Sequence, residues 1–257
     1  MNDAPLVFST RDPSWLSNSY LVADRLGGHA VLIDTGGPME PIVERIVEWR
    51  VELTHVLCTH HHPDHTLHNE DYKSSYGCPV CGHAAERDHY ERIGHPIDQE
   101  LRDREEVRSG DLRIRALHVP GHTSGQLSFL VNDCEVYTGD TLFKGSVGGT
   151  RGQAHTNSED LQHSIMDVLM QLPKETVIRP GHMEATSVAE EWERNPFVRY
   201  WRGLEATGSE ACEAFGVGGE LLIAAADYDG GEKCLVRFDD GHLDVVPGSR
   251  VKRRSDP

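Results

Sequence analysis

The stretch Cys58 to Asn69, CTHHHPDHTLHN, places five histidines and one aspartate in the nine positions from 60 to 68. Crowded imidazoles make poor core and poor surface, but a neutral ring offers a nitrogen lone pair to a metal ion. His60 and His62 stand two apart, and in an extended loop alternate residues point the same way. That pair can grip one ion. Asp64 and His65, beyond the bend at Pro63, can face a second. Each set falls short of the four donors a bound ion usually gathers. His122 in HVPGHTSGQ, Asp140 in VYTGDTLF and His182 in VIRPGH are candidates for the rest. Each follows a strand-like run and stands beside a glycine that lets the backbone turn tightly.

These donors need a scaffold. YLVADRLGGHAVLIDTGGP reads as a hairpin around Gly27-Gly28, ending at Asp34. MEPIVERIVEWRVE has Ile42, Val43, Ile46 and Val47 at helical spacing, and LTHVLCTH is a strand running into the histidines. Strand, helix, strand puts His60 in a loop at a strand's carboxyl end, where layered α/β folds place ligand sites. LRIRALHVP, QLSFLVND, CEVYTGD and TVIRPGH read as further strands. SEDLQHSIMDVLMQLP reads as a helix capped by Ser158, with Leu161, Ile165, Val168 and Leu169 on its apolar face. SVAEEWERNPFVRYWRG is one helix or two, interrupted before Pro196, with Trp192, Phe197, Tyr200 and Trp201 as packing residues. A boundary near 203–211 separates a main domain, 1–202, from a β-rich appendage, 203–257, with three strands turning at Asp229-Gly230-Gly231 and Asp240-Gly241.

The 257 residues suit one domain with a small appendage. The 25 Lys+Arg against 42 Asp+Glu leave a net charge of −17, which argues against nucleic acid and anionic membrane as partners. The basic stretch RVKRRS near the end reads as a solvated tail. No apolar run reaches the roughly 18 residues of a membrane span, and the start lacks the features of an export signal. A cytoplasmic address and six reduced cysteines are therefore expected. Cys78 and Cys81 have metal-ligand spacing but no second pair, so two small buried residues are the expectation there.

The strings THHHPDH, PGHTSG, TGDTLF and PGH, ordered across about residues 15 to 200, resemble the metallo-β-lactamase superfamily. Within it they look most like the glyoxalase II-like (hydroxyacylglutathione hydrolase-like) enzymes. The resemblance implies a four-layer αββα sandwich with two divalent metal ions in the cleft between its sheets. His60, His62 and His122 would hold the first ion, Asp64, His65 and His182 the second, and Asp140 would bridge them. Asp34 falls where such proteins often carry a carboxylate that orients a ligating imidazole. Zinc is the first expectation, with iron or manganese as alternatives. Two ions about 3.5 Å apart would turn a shared water into a hydroxide that attacks a carbonyl carbon, with Asp64 as both ligand and proton acceptor. The substrate implied is a small acyl thioester, ester or lactone.

Glyoxalase II relatives often read PGHTxGH where this chain has Gln126, and carry a basic residue where Gly149 stands in GSVGGT. Glutathione specificity is thus weakly supported. Lys144, Arg151 and His68 are the candidate substrate contacts. His61 should point away from the ions, and His29, His55, His83, His89, His95, His118, His155, His163 and His242 read as ordinary histidines. Cys58 should be a small core residue. Alternative functions are a mononuclear iron persulfide dioxygenase of the same superfamily, a lactonase or β-lactamase, and a scaffold with structural metals. The appendage could cover the cleft or build a homodimer.

Overall fold

The structure is a computed structural model and describes residues 4–152, 154–206 and 208–253. Its first sheet has six strands in chain order: β1 (Leu6–Arg11), β2 (Asn18–Ala23), β3 (His29–Ile33), β4 (Glu52–Leu57), β5 (Val80–His83) and β6 (Gln99–Leu101). Strands β1 to β3 are antiparallel, with Gly27 at φ +71° in the β2–β3 turn. Strands β3 to β6 are parallel, so each pair needs a crossover. Helix α1 (Met39–Trp49) supplies the first, α2 (Pro63–Thr66) with α3 (Asn69–Tyr76) the second, and α4 (Arg87–Arg92) lies in the third. Ile42 and Ile46 of α1 are buried against the outer face of this sheet, whereas Val47, expected on the same stripe, is 70% exposed.

The second sheet contains β7 (Glu106–Ser109), β8 (Leu112–His118), β9 (Leu127–Val131) and β10 (Glu135–Gly139). After a short hairpin, β11 (Leu142–Phe143) and β12 (Ser146–Val147), it is completed by β13 (Val177–Pro180) and β14 (Thr186–Ser187). The two sheets meet face to face. Tyr20, Val22, Val31 and Ile33 from one pack with Ile114, Leu127, Phe129 and Tyr137 from the other. Alternate residues of β2, Leu21 and Ala23, point instead to the α1 side. Covering both faces explains why β2 and β9 read as apolar runs rather than alternating patterns.

A helical layer covers the second sheet. Helix α5 (Ser158–His163) is capped by Asn157, whose side chain accepts the Asp160 N–H at 2.7 Å. Ser158, expected as the cap, is the first helical residue. The helix then widens to a π turn over Ser164–Val168 and tightens to 3₁₀ over Leu169–Gln171. Helices α6 (Val188–Arg194) and α7 (Pro196–Trp201) are separated by Asn195, which caps α7. Phe197 is buried, and Trp192, Tyr200 and Trp201 pack against the same core, as expected of a packing stripe.

The C-terminal segment forms a five-stranded sheet of β15 (Glu210–Ala214), β16 (Val217–Ala226), β17 (Glu232–Phe238), β18 (Leu243–Pro247) and β19 (Val251–Arg253). Three strands were expected; β15 and β19 are additional. Strand β19 takes up part of the stretch read as a solvated tail, and Arg253 pairs with Glu232 at 2.8 Å. Arg254 and Ser255 lie outside the described residues. Leu222, Ile223, Leu235 and Val245 join the core of the helical layer, so this sheet packs directly on the rest of the chain. A register shift between Leu221 and Ile223 turns both Leu222 and Ile223 into that core. None of the six cysteines is in a disulfide, and no helix among the described residues is long and apolar enough to cross a membrane.

Candidate metal centre

The turns after β4, β10 and β13, with the β8–β9 loop, bring every sequence-assigned donor to one end of the sheet sandwich. His60, His62 and His122 converge. Nε2 of His60 lies 2.9 Å from Nδ1 of His62, and Nε2 of His122 lies 3.1 Å from the same atom. Donors around a tetrahedral zinc are separated by roughly 3.3 Å, so one ion fits among them. Asp64, His65 and His182 form a second group: Oδ2 of Asp64 is 3.3 Å from Nε2 of His65 and 3.5 Å from Nε2 of His182. Asp140 faces both. Its Oδ1 is 3.4 Å from Nε2 of His65, and its Oδ2 is 3.4 Å from Nε2 of His182 and 3.6 Å from Nε2 of His122.

Neighbours set which ring nitrogen is free to bind. Nδ1 of His65 donates to Asp34 at 2.9 Å, which leaves Nε2 as the lone pair. Asp34 also accepts the backbone N–H and the hydroxyl of Thr59, each at 2.8 Å. That hydroxyl in turn accepts Nδ1–H of His60 at 3.0 Å. His122 donates Nδ1–H to the Gly149 carbonyl at 2.9 Å. The Asp34 carboxylate thus reaches two imidazoles, His65 directly and His60 through Thr59. Glycine is required where the loops touch. A Cβ on Gly181 would lie 2.3 Å from Oδ1 of Asp140, and one on Gly36 would strike the Asp64 carbonyl.

The electrostatics divide the same way. Burial, then the neighbouring rings, holds His60 and His122 well below the usual histidine range and His62 down at about 4. These rings are neutral, as ligands must be. Burial also works against charge on His65 and His182, but the Asp64 and Asp140 carboxylates overcome it. His65 is raised well above its ordinary value and His182 to about 9. Protons thus occupy a place built for positive charge. Nε2 of His65 and Oδ1 of Asp140 are buried without a hydrogen-bond partner, a cost that a shared cation removes. The donor set fits two divalent ions.

Sequence reasoning missed three participants. Glu86 is fully buried and accepts the N–H and Nδ1–H of His61, at 2.8 and 2.9 Å, and the Gly125 N–H at 3.0 Å. It ties the His60 loop to the His122 loop while turning His61 aside. His155 stands 4.7 Å from His122 and 5.8 Å from His62, ring to ring, although no motif marked it. Tyr228, from the C-terminal sheet, stacks on His182 at 3.8 Å. None of the three has a local signal, because each reaches the centre from a distant element.

The substrate candidates disperse. The His68 ring bonds Asp71 at 3.0 Å. Arg151 pairs with Asp244 at 3.3 Å and lies over the rings of Phe215 and Phe238. It faces the C-terminal sheet. Lys144 is exposed at the β11–β12 turn. Cys58 is fully buried beside Asn69, and neither Cys78 nor Cys81 joins a metal-binding group among the described residues.

The sequence pattern described as the metallo-beta-lactamase superfamily matches residues 13–182. An uncharacterized protein of Mycobacterium bovis is 34% identical over 207 residues, covering 70% of this chain and 92% of its own. The hydroxyacylglutathione hydrolase GloC of Haemophilus influenzae is 33% identical over 190 residues, covering 66% of this chain and 87% of its own. Among solved structures, ETHE1 from Myxococcus xanthus superposes with a TM-score of 0.65 at 33% identity, covering 75% of this chain and 84% of that one. With the sheet sandwich and the double donor set, these likenesses place the chain in the metallo-beta-lactamase superfamily.

Proposed function

We propose that this protein is a two-metal hydrolase of a small thioester, activated ester or lactone. The observation that carries the reading is Asp140, whose carboxylate reaches both halves of a six-residue donor set: Oδ2 lies near His122 of one half and His182 of the other, and Oδ1 near His65. Bound there, two divalent ions would lower the pKa of a water and polarise a carbonyl. His60, His62 and His122 would hold one ion, and Asp64, His65 and His182 the other. The chain's own work is to keep those donors in the right tautomer, through Thr59, Asp34 and Gly149. Asp64 is the least buried carboxylate of the cluster, its side chain 23% exposed. Burial opposes its ionisation, but His65 and His182 lower its pKa. Its exposure supports assigning it the proton-acceptor role on the solvent side. Zinc is the proposed metal, since the centre is built from imidazole and carboxylate donors.

The turn that would carry a basic residue for glutathione has Gly149, and Arg151 beyond it is held by Asp244. Lys144 is thus the proposed contact for an anionic substrate group, and a glutathione leaving group is not required. Elemental analysis of fresh protein, beside His182→Ala, with hydrolysis of a thioester and lactone panel, tests the reading. Two ions in the wild type, with one lost and hydrolysis down at least a hundredfold in the variant, are expected. A single tightly held iron, indifferent to His182, would sink the proposal and point to the persulfide dioxygenase alternative.

A further inference from the structure

Four histidines present Nε2 to the centre, and three have their other nitrogen tied. His60 uses the Thr59 hydroxyl, His65 the Asp34 carboxylate and His122 the Gly149 carbonyl. His182 is different: its Nδ1 is buried without a hydrogen-bond partner. What fixes its plane is aromatic packing. The Tyr228 ring lies on it at 3.8 Å between centroids and 10° between planes. Phe143 meets the same imidazole edge to face at 5.7 Å and 90°, and meets Tyr228 at 5.8 Å and 82°. One side of His182 is thus covered by a residue of the β16–β17 turn, beyond the stretch that matches the superfamily.

The turn itself is held firmly. Asp227 precedes Tyr228, and its carboxylate pairs with Nζ of Lys233 at 2.9 Å, both side chains being at least nine-tenths buried. The Asp227 N–H bonds the Gly231 carbonyl at 3.0 Å, and the Gly231 N–H bonds the Asp229 side chain at 2.8 Å. A ring carried on such a turn has little freedom, so it can hold its neighbour's plane.

We propose that Tyr228 is a positioning residue for His182. Its ring does by stacking what a hydrogen bond does for the other three imidazoles, and so couples the C-terminal sheet to the second metal site. The inference rests on the two-ion reading above. Outer groups that orient a ligand typically contribute 10- to 100-fold to metal affinity, and stacking should supply the lower end of that range. The ring face, not the hydroxyl, makes the contact.

Stepwise loading of the full chain with Co(II), against a competing chelator and followed by visible absorption, tests this on wild type, Tyr228→Phe and Tyr228→Ala. Wild type should take two ions. Tyr228→Ala should bind the second about tenfold more weakly and with an altered spectrum, the first unchanged. Tyr228→Phe should match wild type within twofold. A Tyr228→Ala protein that loads its second ion with wild-type affinity and spectrum would overturn the role of Tyr228 alone. A Tyr228→Phe protein as impaired as Tyr228→Ala would overturn the stacking explanation. Wild type that takes one ion would overturn the two-ion reading and this inference with it.

Discussion

At the scale of single residues, the centre depends on groups that bind no ion. Asp34 is the most connected: one carboxylate accepts from His65 and twice from Thr59, and so governs two ligand tautomers. Asp34→Asn keeps the shape but puts an NH₂ where an acceptor is needed. Metal affinity should fall roughly 10- to 100-fold while the protein stays folded. Chelator competition measures this directly, and an unchanged affinity would show that His65 is oriented by its packing alone.

At the scale of elements, the ligand loops are held to each other as well as to their strands. Glu86 lies just before α4, yet it clamps the His60 loop and the His122 loop through three donors. Bonds to a buried carboxylate contribute more than neutral ones, and deleting it strands its donors. Glu86→Ala should lower the stability of the metal-free protein by about 3 kcal/mol. Urea unfolding in the presence of a chelator reads this out; a loss under about 1 kcal/mol would mean that the two loops hold their places without the clamp. The element reading from sequence was good where periodicity is strong, as in β2, β4 and α1. It went astray where partners decide. Strand β15 becomes a strand by pairing with β16, and β19 by pairing with β15, which no local pattern announces.

At the scale of the whole molecule, charge and metal are linked. In the metal-free protein the Asp64 and Asp140 carboxylates raise His182 to about 9, so this ring is protonated at pH 7. An ion at Nε2 must expel that proton. Loading at pH 7 should release protons, and the contribution from His182 should fade as pH rises past about 9, where the ring is already neutral. Metal addition to lightly buffered protein with a pH indicator measures it, and loading at pH 7 without release would refute the assignment. The stability of the metal-free fold follows the same sign. Because the folded value lies above the ordinary one, the His182 contribution is full below the unfolded value and is lost as pH rises through about 9. A melting temperature of chelated protein that does not fall between pH 7 and 10 would contradict it.

What the sequence determined alone was the candidate donor set. His60, His62, Asp64, His65, His122, Asp140 and His182 are legible because metal ligation needs particular residue types, and short loops with adjacent glycines fix their local spacing. Asp34 was legible only through the family resemblance, which marks the end of that apolar strand. The sheet sandwich was legible only as a resemblance; the apolar runs by themselves indicated strands. Tertiary structure decided what surrounds the donor set. Glu86, His155 and Tyr228 are unremarkable in their own segments and acquire roles only when helix crossovers and sheet packing bring them to the centre. It also decided that Arg151 faces Asp244 and the C-terminal sheet. That pairing depends on how a late β-sheet packs against the helical layer, and no spacing along the chain encodes it.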